Sequence, residues 1–217
     1  MAINRTIKYR ELYKIRNEKT GEIHDGFDQE WYKGHWQRLA GCGPTVFSTI
    51  YYYLNRTLEE IREENEPISK ERCIELMEEV WNHVKPSFHG VSSTEMFLKG
   101  VASYKKFKNQ ELIHHSLDIA KNPSERPPFK ALLAFLDEAL EKDTPVAFLN
   151  LHNGDEKVLD AWHWVTLIAL EYDEEGSFAF AEILDEGKIK KIDLLQWYNT
   201  TTLGGGFVSF EPLAPKN

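Results

Sequence analysis

Between Thr45 and Leu54, in TVFSTIYYYL, apolar residues fall on every side of a helix, which is the pattern of a buried one. Its β-branched Val, Ile and Thr lower the intrinsic propensity, so burial must hold it. ISKERCIELMEEVWNHV then sets Cys73, Leu76, Met77, Val80, Trp81 and Val84 at helical spacing behind Ser69 as N-cap, which puts Cys73 on a core face. Two more helices are predicted. SSTEMFLKGVASYKKF has Glu95 three residues after an N-cap at Ser92, and PFKALLAFLDEALEKDTP is stopped by Pro145. From there the period shortens: PVAFLNLHNG, WHWVTLIALEYDEEGSFAFAEILDEGKIKKI and GGGFVSFEPL are short apolar or alternating runs divided by turn signals. Before all of these, the first thirty residues carry a weak alternation at Ile7, Tyr9, Leu12, Tyr13 and Ile15, expected of an edge strand or arm, and TGEIHDG reads as a turn.

Helices first and strands later predict an α+β class rather than alternating α/β units. The expected layout is one domain over residues 1–217, with 1–144 a mainly helical half and 145–217 an antiparallel sheet half. A length of 217 residues suits one core of good size.

Composition changes this picture little and narrows the partners. Hydrophobic residues are 41%, charged 28% and aromatic 12%, as in ordinary globular proteins. A formal charge of -9 disfavours a nucleic-acid backbone or an anionic membrane surface as partner. No stretch approaches the ~20 apolar residues of a membrane span, and the first residues lack the apolar core of a signal peptide, so a cytoplasmic location is expected. Cys42 and Cys73 are the two cysteines, and a reducing compartment argues against a bridge between them. There is no HExxH, no paired CxxC and no phosphate-binding glycine loop, so neither a metal nor another cofactor is expected.

One stretch carries chemistry. WQRLAGCGPT places Cys42 where the buried helix begins, and unpaired N–H groups and the helix dipole at such an end favour a thiolate, the nucleophilic form. Pro44 suits a first turn, and Gly41 and Gly43 are expected to permit unusual backbone angles and close approach of a substrate chain. The Cys42 N–H could face a developing oxyanion, with the Gln37 side chain as second donor. The same GCGP also fits a plain tight turn before a buried helix.

A thiol nucleophile needs a histidine and a group to orient it. Of eight histidines, His163 alone opens a clearly apolar strand. A hairpin turning at Asp173 to Gly176 sets His163 opposite Asp185 or Glu186 on the same face. That face continues through Ala179, Ala181 and Ile183, small enough to leave room for a covering helix at residues 44–54.

QRLAGCGPT, HWVTLIAL and ILDEG, in the order cysteine, histidine, acid, together resemble the papain-like cysteine peptidase superfamily, and most its bacterial branch of bacteriocin-processing (C39-type) peptidases. The resemblance implies a papain-like fold with Cys42 as nucleophile, His163 as general base and acid, Asp185 as orienter and Gln37 as oxyanion donor. Two departures leave alternatives open. Gln37 stands five residues before Cys42 where the family usually has six, so Trp36, whose indole N–H can also donate, takes the expected place. The interval from His163 to Asp185 is also longer than usual, which keeps Glu186 as a rival. The implied function is a cysteine hydrolase acting on a peptide or small amide or thioester. The alternatives are an acyl or glutamyl transferase and a non-catalytic binding protein on the same scaffold.

Overall fold

The computed structural model describes residues 1–58 and 67–211. In chain order its elements are β1 (Ala2–Thr6), β2 (Lys14–Arg16), β3 (Ile23–Asp25), α1 (His35–Ala40), α2 (Cys42–Leu58), β4 (Ile68–Ser69), α3 (Lys70–Trp81), α4 (Thr94–Lys108), β5 (His114–Ile119), α5 (Phe129–Glu141), β6 (Val146–Asn150), β7 (His163–Asp173), β8 (Ala179–Asp185), β9 (Lys188–Asp193), α6 (Leu194–Thr200) and β10 (Gly205–Phe210).

β7, eleven residues long and rich in β-branched and large apolar side chains, is the spine of a seven-stranded sheet ordered β5-β10-β6-β7-β8-β9. One side of β7 pairs with β6 through His163–Leu167 and then with β1 through Ala169–Asp173; the other side pairs with β8, and every pairing is antiparallel. A smaller sheet, β3-β2-β4, surrounds Ile15.

Alternation along the strands splits the side chains between two cores. Ala147, Leu149, Trp164, Val208 and Phe210 pack with Val46, Phe47 and Ile50 of α2 and Phe97 and Val101 of α4. Phe148, Val165, Leu167 and Phe207 pack with Leu132, Leu136 and Leu140 of α5 and Trp197 of α6. Phe148 and Phe207 stack with 4.5 Å between centroids, and burying a ring of that size contributes about 1.5–3 kcal/mol.

The helical and sheet elements are interspersed, not divided at residue 145. The large sheet takes β1 and β5 from the N-terminal half, and α6 lies among the C-terminal strands. Both early strands are edges with largely exposed, polar side chains, so they show little of the apolar alternation that reveals a half-buried strand. The TGEIHDG segment holds β3 as well as a turn. The N-cap of α4 is Ser93, whose side chain accepts from the Met96 N–H, rather than Ser92. Ser69 caps α3 as expected, accepting from the Arg72 N–H.

The covering relation also differs. Ala179, Ala181 and Ile183 belong to the core built by α5 and α6. α2 packs mainly on β7 and α3, and less on β6. That places the start of α2, and Cys42 with it, beside the start of β7.

Candidate active site

α1 runs almost directly into α2, with Gly41 between them at φ −85°. A Cβ on Gly41 would collide with the Gln37 carbonyl oxygen and stand 2.7 Å from the Tyr32 ring; one on Gly43 would stand 2.8 Å from Val91 Cγ2. Both glycines therefore serve close packing inside the protein, and neither has a left-handed backbone, contrary to the unusual angles expected of them. Cys42 opens α2, is free and is 8% exposed. Its own N–H lies in the first turn, where no intrahelical carbonyl can accept it. Cys73, also free, is fully buried beneath Tyr32 and Met77, and burial pushes its thiol well above the ordinary range.

His163 opens β7, paired in the ladder with Asn150. Its Nε2 lies 2.7 Å from Asp185 Oδ1, which leaves Nδ1 for the sulfur. Two opposing effects act on the ring. Burial disfavours its charge, whereas hydrogen bonds with Asp185 and with Cys42 favour it, and the balance pushes the pKa up from 6.5 to about 10. Cys42, His163 and Asp185 are thus brought together across one cleft.

The hairpin reaches this contact by a different register from the one expected. Glu174–Phe178 form a longer connection, organised by the Asp173 carboxylate, which accepts from the Ser177 N–H and hydroxyl. A bulge between Leu167 and Ala169 adjusts the strands further, and the last ladder pair is Thr166 with Leu184. Asp185 consequently sits diagonal to His163 rather than opposite it. Diagonal neighbours two residues apart share a face and remain within reach of long side chains.

Glu186 does not reach the ring. It starts the two-residue turn Glu186–Gly187 at φ 51° and 68°, is exposed, and pairs with Lys190 at 2.8 Å. Lys190 also meets Asp185 Oδ2 at 2.7 Å, so the buried carboxylate has one cation on each oxygen. Burial raises the Asp185 pKa, but His163 and Lys190 outweigh it and hold the carboxyl below its ordinary value.

Gln37 is elsewhere. Its Oε1 accepts from the Gly34 N–H at 3.0 Å, a capping interaction for α1, and its Nε2 donates to Glu78 Oε2 at 2.7 Å. It lines neither of the two cavities that meet at Cys42. One of these, 260 Å³, contains His163, Asp185, Thr166, Asp28, Asp160 and Glu186 in its walls; the other, 290 Å³, contains Trp36, Leu39, Phe88 and Trp162. A larger hollow of 570 Å³ between α2 and α3 holds no cysteine or histidine.

Sequence reasoning missed Lys190, Asn150 and the aromatic wall. Lys190 was accessible through the EG turn, which fixes the β8–β9 register at Asp185 with Lys188. Asn150 holds the approach to His163: its Nδ2 donates to the Asp160 carbonyl at 2.7 Å and its Oδ1 accepts from the Trp197 indole at 2.8 Å. No local pattern signals either bond. Among the described residues no group of three His, Cys, Asp or Glu is placed to hold a metal ion, and no helix is long and apolar enough to cross a membrane.

No family model matches the chain, and no curated protein sequence matches it either. Among solved structures it is similar to the crystal structure of UfSP from C. elegans, with a TM-score of 0.52 and 12% sequence identity over 99% of this chain and 35% of that one. The chain thus spans about a third of the length of that solved protein. What the likeness establishes is the fold alone: an α+β fold shared with that solved protein.

Proposed function

We propose that this chain is a cysteine-dependent hydrolase, a peptidase as first choice of substrate class, with Cys42 as nucleophile, His163 as general acid and base, and Asp185 as the group that orients the ring. The 2.7 Å bond from His163 Nε2 to Asp185, in a cavity that Cys42 also lines from the start of α2, is the observation that carries this reading. Such a raised pKa keeps the ring charged at neutral pH, so that it holds the proton a leaving nitrogen needs.

The Cys42 sulfur attacks the carbonyl carbon, and the oxyanion forms against the Cys42 N–H. Of the two donors expected from the sequence, Gln37 is committed to Glu78, whereas Trp36 lines a cavity at the sulfur and is taken as the side-chain donor. His163 gives its proton to the leaving nitrogen as the C–N bond breaks. Water then enters, the ring takes a proton from it, the hydroxide attacks the thioester, and the C–S bond breaks to release a carboxylate. An amine in place of water would make the same intermediate a transferase step. The motif order favours the C39-type branch within the superfamily.

An epoxysuccinyl inhibitor tests the reading. Selective alkylation of Cys42 faster than a free thiol, slowed at least tenfold by His163→Ala, is the expected result. Labelling at the rate of a free thiol, indifferent to His163, would leave an inert binding scaffold instead.

A further inference from the structure

Two cations meet the Asp185 carboxylate, and the reaction proposed above needs only one of them. His163 takes Oδ1 at 2.7 Å, whereas Lys190 Nζ donates to Oδ2 at 2.7 Å and to Glu186 Oε2 at 2.8 Å. The Asp185 side chain is 4% exposed and that of Lys190 21%, unlike the solvated surface pairs whose effect is small.

The β8–β9 hairpin delivers this lysine. Both residues of its turn, Glu186 and Gly187, have left-handed backbones, as a two-residue hairpin of this kind needs. The Gly187 carbonyl accepts from the Asp25 N–H at 2.7 Å, which fastens the turn to β3. The register sets Lys188 opposite Asp185 and Lys190 opposite Ile183, so both lysines share the face of Asp185. Lys188 is exposed, and it is the diagonal Lys190 that makes the contact.

The charges around the ring show what that cation does. Asp28, Glu30, Asp160, Asp185 and Glu186 wall the cavity shared by Cys42 and His163, and among the described residues no lysine or arginine lines it. Arg38 stands 4.0 Å from Glu30 and Lys70 acts on Asp28, whereas Lys190 is set on the carboxylate that touches the ring. Each carboxylate makes the ring hold its proton more tightly, and Lys190 opposes them. Burial works against the ammonium's charge, but Asp185 and Glu186 outweigh it, so Lys190 is charged wherever the ring is. A neutral donor would suffice to orient a carboxylate; a cation also offsets its charge. That matters for proton transfer, because an acid that binds its proton far too tightly is a poor catalyst.

Resting on the hydrolase reading above, we propose that Lys190 is a positioning residue of the reaction: through Asp185 it fixes which oxygen faces His163 and, by its charge, keeps the imidazolium ready to release its proton to the leaving group.

Two reagents for Cys42 separate this role from simple folding. Iodoacetamide forms the C–S bond as iodide departs and asks for no proton. With an epoxysuccinyl reagent the C–S bond forms as a C–O bond of the epoxide breaks, and the oxygen takes the His163 proton. The epoxysuccinyl rate divided by the iodoacetamide rate, measured on the full chain at pH 7, therefore reads acid catalysis. In Lys190→Met that ratio should fall roughly three- to tenfold. The pH at which His163 loses its proton, followed by NMR of histidine labelled at Cε1 with His163→Ala to assign the signal, should rise by roughly one. Lys190→Arg should restore both. Glu186→Gln, at an exposed position, leaves Lys190 to Asp185 alone and should lower that pH, which decides the matter if Lys190→Met does not fold. A ratio and midpoint unchanged in Lys190→Met, an equal fall in Lys190→Arg, or a midpoint moving the wrong way in Lys190→Met or Glu186→Gln overturns the role of Lys190 and leaves the hydrolase reading intact. Iodoacetamide labelling at a free-thiol rate, indifferent to His163→Ala, removes both together.

Discussion

Asp185→Asn keeps the shape of the side chain and removes its charge, and its effect on stability should depend on pH with a definite sign. In the folded protein the carboxylate is 6% exposed and meets His163 on one oxygen and Lys190 on the other. The ring's folded pKa, about 10, is raised above its ordinary 6.5. Its contribution to stability is therefore complete below pH 6.5 and lost as pH rises through about 10. Asp185 is lowered, so its own contribution is present above the unfolded value and lost only in acid. At pH 6.5 both act. Removing one partner of a buried pair costs about 3–5 kcal/mol, and because the ring can shed its proton in the variant, the lower end, about 3 kcal/mol, is expected. At pH 10.5 the ring is largely neutral in both proteins. What then remains is the pair with Lys190, whose pKa is raised and whose side chain is 21% exposed, worth about 1 kcal/mol or less. Urea unfolding followed by tryptophan fluorescence at pH 6.5, 8, 9.5 and 10.5, with equal m-values as the check on comparability, measures the gap. A gap that stays constant or widens with rising pH would refute the account of a charged His163–Asp185 pair.

Three further outcomes are expected. Native protein should take up one equivalent of iodoacetamide, at Cys42, while Cys73, 0% exposed with its thiol pushed up by burial, reacts only after unfolding; peptide mapping by mass spectrometry reads this directly. Gly43→Ala sets a methyl 2.8 Å from Val91 Cγ2, so the chain should lose about 1–3 kcal/mol in urea unfolding, and epoxysuccinyl labelling of Cys42 should slow as the Ser87–Gly90 turn shifts. Asn150→Ala strands the buried Trp197 indole N–H and releases the Asp160 carbonyl, for a loss of about 1–3 kcal/mol, with a fall in labelling rate because Asp160 begins the segment that leads into His163.

The cysteine, histidine and aspartate were legible because each sits where a strong local pattern begins or ends: Cys42 at the mouth of an apolar helix, His163 at the start of an apolar strand, Asp185 at the end of an alternating one. Even an error in register did not hide the contact. The connection after Asp173 is longer than the expected turn and a bulge adds to the offset, yet the displacement amounts to two residues along the strand, and a period of two returns the same face. A displacement of one would have carried Asp185 to the other side of the sheet. Gln37 failed for the converse reason. Its assignment rested on chain distance from Cys42, whereas in GHWQ the glutamine stands at the third position after Gly34 and caps α1, a local use that competes with reaching into the cleft.

The illegible parts share a physical origin. Among the described residues β1 and β5 each pair with one neighbour, and their side chains are largely polar and exposed, so burial leaves little mark on their sequence. The aromatic wall is hidden differently: Trp36, Phe88 and Trp162 look like ordinary core residues in composition, and only their convergence, set by the seating of Val91 on Gly43 and by a left-handed Trp162, turns them outward. Gly43 thus couples two features that the sequence presents as separate. Because it lets Val91 approach the first turn of α2, it fixes the Ser87–Gly90 turn that carries Phe88 and does so one residue from the sulfur. The glycine that looked like an opening for substrate is a packing contact, so displacing Val91 should disturb the Ser87–Gly90 turn more than the His163–Asp185 bond, which lies on β7 and β8 and is held by their own hairpin.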